Sequence, residues 1–277
     1  MSKYKPEYTK EVATIDPFQS MRNALLENED NLLMSSLSEE QAQAVKRLMI
    51  NDGRKPLPIS DSRLLNEMAG NVKKLWGRNK SNLNIFFFDG TTPQTEQIFK
   101  VAQTWCDHCR LKFILVVDKK DSDIRVSITD HPNSWSVVGT DASLESKDVA
   151  TMNLGGLIGL AFDDPEFNHI VLHEFGHALG LEHEHQGPEF KFTWNKPFVY
   201  NYFFYNYQWP QDKVDKNILN QYDRSHIRST PFDEKSIMTY HLPADFTMEK
   251  RVVPKNYKLS DLDKQYIGEL YKPLLYS

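Results

Sequence analysis

The sequence predicts an α+β fold, and three observations carry that prediction. Apolar, strand-like stretches recur at 83–88, 111–117, 123–128 and 149–155. One long helical pattern follows the first of them, and a second follows the last. A strand, a helix and several more strands before the next helix fit a twisted mixed sheet with helices packed on it.

Each element has a local reason. LNIFFF (83–88) reads as a buried strand and ends at the turn signal Asp89-Gly90. Thr92-Pro93 opens a helix in the N-cap and N1 positions, with Ile98, Ala102 and Trp105 on one face. LKFILVV (111–117) and DIRVSI (123–128) are further strands, the second alternating apolar and polar, and VATMNLG (149–155) is a fourth. Asp164-Pro165-Glu166 supplies a cap, an N1 proline and a first-turn acid for the second helix, which runs to Gly180. From about 190 to 235 the chain is aromatic and polar without a clear period, and an irregular C-terminal subdomain is expected there. A last helix starts at Ser260, where Ser-x-x-Asp (260–263) is a capping pattern. It carries Leu262, Tyr266 and Leu270 on one side and stops before Pro273.

Residues 1–72 read differently from 73–277. Helical patterns fall near 18–28, 38–50 and 62–76, separated by the turn-prone NDGRKPLPISD. No chemistry is evident in them, so a packed helical extension and a propeptide or delivery segment both stay open.

The chain has 277 residues, 40% hydrophobic and 26% charged, with a formal net charge of -5. That balance, with no long run of one sign, argues against a nucleic-acid partner. No apolar run reaches the roughly 20 residues of a membrane span. The N-terminal MSKYKPEYTKEVATIDPF lacks the apolar core of a secretory signal, so a cytoplasmic protein or export by a signal-independent, effector-type route is expected. A monomer is expected. Cys106 and Cys109 are the two cysteines. Their C-x-x-C spacing stands at the end of a helical pattern with no second pair, which favours a structural reading over a redox or metal one.

The chemistry is concentrated in His173-Glu174-Phe175-Gly176-His177-Ala178-Leu179-Gly180-Leu181-Glu182-His183. Residues four apart share a helix face, so His173 and His177 can address one ion. Zinc accepts neutral imidazole nitrogens, and a catalytic site keeps one position open for water. Glu174 is turned aside by about a quarter turn, which suits a general base that does not itself ligate. An uninterrupted helix would put His183 about 240° around from His177. Gly180 tolerates the left-handed conformation that ends a helix and lets the chain return His183 to the metal. His185 is the competing third ligand. His108, His131, His169, His226 and His241 lack ligand-like spacing to this group and read as ordinary surface or packed histidines. Asp121 and Asp123 read as a strand-end turn better than as calcium ligands. Tyr200, Tyr202, Phe203, Phe204, Tyr205, Tyr207 and Trp209 either line a cleft or form core.

This stretch resembles the metzincin superfamily, whose H-E-x-x-H-x-x-G-x-x-H signature is followed by a methionine turn. Ser236-Ile237-Met238-Thr239-Tyr240 is similar to that turn. The resemblance implies that Met238 forms an apolar floor under the histidines. Tyr240 is similar to the astacin tyrosine, which implies a displaceable zinc ligand that swings to stabilise an oxyanion. Trp105, Asp123–Val126, Val138-Gly139, Thr151–Leu154 and Leu259-Ser260-x-x-Asp263 resemble further metzincin landmarks, with 136–154 expected to supply the substrate-aligning edge. Glu184-His185-Gln186 is similar to the astacin His-Glu-x-Gln continuation, although an arginine often found shortly afterwards is absent. Glu184 matches the astacin glutamate that meets a new N-terminus after activation. No cysteine lies in residues 1–72, which excludes a cysteine switch, and Asp52 in NDG reads as a turn rather than an aspartate switch. What the resemblance implies is a zincin-like catalytic domain of the astacin-like bacterial or fungal type. It would use one Zn2+ to hydrolyse peptide bonds in a protein or peptide substrate.

Overall fold

The computed structural model of the chain describes residues 74–128, 133–222 and 231–272. The helical patterns expected before residue 74, Asp52, His131 and His226 lie outside the described residues. The described end of the third pattern, residues 74–76, is not α-helical.

Strand β1 (Asn82–Phe87) buries Leu83 and Ile85 and pairs in parallel with β2 (Lys112–Leu115) on one side and β3 (Ile124–Ser127) on the other. β5 (Met152–Leu154) continues the sheet in parallel beside β3, and β4 (Ser134–Ser136) closes it antiparallel, giving the order β2-β1-β3-β5-β4. The parallel β1–β2 pair needs a crossover, and helix α1 (Thr92–Ala102) supplies it. Its N-cap is Thr91, one residue earlier than the sequence suggests, because the Gln94 side chain accepts a 3.0 Å bond from the Thr91 N–H.

Three expectations need correction. β3 does not alternate: all four of its residues are buried. Arg125 is accommodated because its guanidinium donates to the Val149, Ala142 and Glu145 carbonyls of the loop covering that face. The outer strand beside β5 is 134–136 and not a stretch inside 136–154, since Ser-Trp-Ser is too short and polar to read as a strand. Finally, the aromatic region contains helix α3 (Lys196–Tyr207), followed by the short α4 (Gln211–Val214). Aromatic side chains on several sides of α3 erase the one-faced periodicity that would reveal it.

Helix α2 (Pro165–Ala178) packs beside α1, and the Trp105 indole donates to the Leu172 carbonyl at 3.0 Å. Helix α5 (Asp261–Leu270) ends beside Trp76. Tyr271 Oη accepts from the Trp76 N–H at 3.2 Å and donates to the Leu179 carbonyl at 2.6 Å, while the Trp76 indole donates to Ala178 at 2.9 Å. One apolar cluster joins the sheet, α1, α2, Met238 and α5; a second joins Phe190, α3, Trp209, Ile218, Leu242 and Phe246. Within the aromatic group, Phe203, Tyr205 and Trp209 are buried, which makes them core rather than cleft lining. No helix among the described residues is long and apolar enough to cross a membrane.

Candidate active site

Asp164 caps α2 by accepting a 2.8 Å bond from the Glu166 N–H, and Pro165 occupies the first turn. Phe167, Ile170, Val171 and Phe175 bury the helix against the core, which fixes the bearing of His173 and His177. The helix closes in a Schellman motif, with the Gly180 N–H donating to His177 at 2.7 Å and the Leu181 N–H to Gly176 at 3.0 Å. Gly180 has φ 93°, the left-handed conformation expected of it.

The reversal returns His183 to the helix face. Its Nε2 lies 3.3 Å from His173 Nε2 and 3.2 Å from His177 Nε2. Tetrahedral ligands about 2.05 Å from one zinc ion lie about 3.3 Å apart, so this spacing fits the metal. The tautomers fit as well. His173 Nδ1 faces the Ile237 carbonyl at 2.9 Å and His177 Nδ1 the Leu181 carbonyl at 2.8 Å. Carbonyls only accept, so Nδ1 carries the proton and Nε2 keeps its lone pair for an ion. Burial, followed by repulsion from neighbouring imidazoles, holds His173 and His183 well below the ordinary imidazole range; burial brings His177 down to about 4. Neutral rings are the form a cation needs. These three histidines are the group able to hold a metal among the described residues.

Glu174 is buried beside them, and burial alone pushes its carboxyl up to about 8. Met238 is buried, and its sulfur occupies the space a Cβ on Gly176 would fill. Tyr240 is partly buried, its ring centroid 4.3 Å from that of His183 and 5.7 Å from that of His173. Burial, with a smaller contribution from the Glu174 charge, raises its hydroxyl pKa, which places carboxylate and phenol in one electrostatic neighbourhood.

Solved structures similar to this fold are known. The chain is 33% identical to myroilysin, with a TM-score of 0.67 over 73% of this chain and 98% of that one. A second structure of myroilysin gives 27% identity and a TM-score of 0.54, covering 79% of this chain and all of the other. The chain belongs to the astacin-like metzincin metalloproteases. No protein-family model matches it. The probable matrix metalloproteinase 095L of invertebrate iridescent virus 3 is 31% identical over 111 residues, which is 35% of this chain and spans only 31% of that curated relative. The hatching enzyme HCE-1, a zinc-protease of medaka fish, is 15% identical with a TM-score of 0.49, over 77% of this chain and 98% of that one.

Within this metzincin the other candidates separate cleanly. His185 is fully buried but stands outside the group able to hold a metal, stacked on Tyr240. His169 is packed, with Nδ1 facing the Asn256 carbonyl at 2.6 Å, and His241 Nδ1 faces the Val253 carbonyl at 2.8 Å. Asp123 accepts from the Asn84 N–H and the Lys80 ammonium, so strand-end pairing accounts for it. Cys106 and Cys109 are free thiols; burial pushes Cys106 up to about 12 and raises Cys109. Glu184 sits near Asp263 and Asp233, and burial followed by Asp263 raises it to about 8.

Asp263 has a part that sequence reading missed. It caps α5, and its carboxylate also accepts from Ser236 Oγ at 2.7 Å and the Ile237 N–H at 2.8 Å. The final helix therefore anchors the methionine turn whose Ile237 carbonyl orients His173. The Ser-x-x-Asp pattern exposes the cap, but nothing local in it reveals the second duty.

Proposed function

We propose that this metalloprotease hydrolyses internal peptide bonds of protein substrates, with one zinc ion held by His173, His177 and His183 and with Glu174 as general base. The observation that carries the reading is the approach of His183 Nε2 to those of both His173 and His177, at 3.3 and 3.2 Å, beside a buried carboxylate. Bound there, zinc supplies Lewis acidity, polarising the scissile carbonyl and making a water acidic enough to ionise near neutrality. Glu174 takes the proton of the attacking water on its carboxylate and later delivers it to the leaving amine. Tyr240 would be a displaceable further ligand, and its hydroxyl, once displaced, would face the developing oxyanion. Met238 is the apolar floor that fixes the height of the histidines, and Gly180 sets the return of the third.

A structural zinc site is closed by four protein ligands. Three histidines with a buried carboxylate beside them support a catalytic site instead. The test is digestion of a denatured protein substrate before chelation, after it, and after zinc is returned. Cleavage should vanish and recover; cleavage that persists without metal overturns the reading. The same incubation, followed by mass spectrometry, tests the boundary proposed near residue 73. Burial of Trp76 against the end of α2 supports a catalytic domain that begins before it.

A further inference from the structure

Tyr240 has three imidazole neighbours. His173 and His183 belong to the group able to hold a metal. The third, His185, does not. Its ring lies 4.7 Å from that of Tyr240 at an interplanar angle of 27°, an offset stack, and 5.3 Å from that of His183, again at 27°. The indole of Trp194 meets it edge-on at 6.2 Å. His185 is fully buried, and neither ring nitrogen makes a hydrogen bond; the Asn217 backbone lies close enough to favour protonation but outside bonding geometry. What this side chain presents to its surroundings is therefore a flat face. Packing on all sides holds that face still.

We propose that His185 is a positioning residue for Tyr240: its buried ring, outside the set of metal ligands, is the platform on which the phenol lies and along which the tyrosine ring would be guided. The platform fixes the plane of the tyrosine ring, so that only the position of the hydroxyl changes during the swing. The inference rests on the role given to Tyr240 above, and it adds the residue that confines the motion.

The test is a double-mutant cycle on the zinc-loaded full chain, reading kcat, KM and zinc affinity by chelator competition. Y240F should lower kcat by about 100-fold, the loss expected for one oxyanion donor. H185A should lower kcat by about 10-fold or more with KM little changed, as expected when a catalytic group is misplaced. Both single variants should weaken zinc, H185A by no more than Y240F, and H185A should add nothing in the Y240F background. H185F, which keeps a flat ring, should recover most of what H185A loses. If H185A does not fold, H185L replaces it, keeping volume without the flat face, and is read the same way. Additive losses, or an H185A as active as wild type beside a defective Y240F, overturn the platform alone. A fully active Y240F overturns the role of Tyr240 and the platform with it.

Discussion

Glu174 owes its raised pKa to burial alone, and a cation held by the neighbouring histidines would favour its charged form. E174Q keeps the shape and removes the proton acceptor. It should retain one equivalent of zinc by metal analysis while kcat falls by about 10²–10⁴-fold. Near-normal turnover with zinc bound would sink the assignment. At this scale the site was largely legible. His173, Glu174, His177 and His183 come from one eleven-residue window, because a helix and one turn bring them together through local geometry. Spacing alone makes His185 a competing ligand. Its actual place depends on Tyr240, more than fifty residues away, and no local pattern encodes that contact.

Elements explain why the window works. The Schellman closure needs a residue at φ 93°, and a Cβ on Gly180 would stand 2.9 Å from Leu75 Cδ2. G180A should cost at least about 1–2 kcal/mol, the penalty of the left-handed conformation, and should loosen zinc as His183 shifts. Urea unfolding of the metal-free protein and zinc titration measure the two effects separately. Asp263 makes three charge-assisted bonds, to Ser260, Ser236 and Ile237. D263N should destabilise by about 2–3 kcal/mol and lower kcat through a displaced methionine turn. Unchanged stability would show that the turn stands without α5. Strands and helices with strong caps or apolar runs were readable. β4 was not, since its strand character comes from pairing with β5, and α3 was not, since its aromatic faces suppress the helical signal.

Over the whole molecule, the histidines stand between two apolar clusters, with α2 rooted in one and Tyr240 packed against the other. A metal bound there ties both to one point, so stability and occupancy are linked. Free zinc at a thousandfold excess over Kd should add about 4 kcal/mol, which is about 10 °C in Tm for a domain of this size. Calorimetry with and without chelator checks this, and identical melting curves would contradict it. The α+β class and a separate C-terminal subdomain were legible from the order of elements, whereas the membership of each core was not, because it depends on which distant faces meet. The contact of Met238 with Gly176 crosses from the turn to the helix, and the thioether sits where any larger residue at 176 would need to go. An alanine at 176 would displace the end of the Met238 side chain, so a change on the helix is felt directly by the floor beneath the histidines.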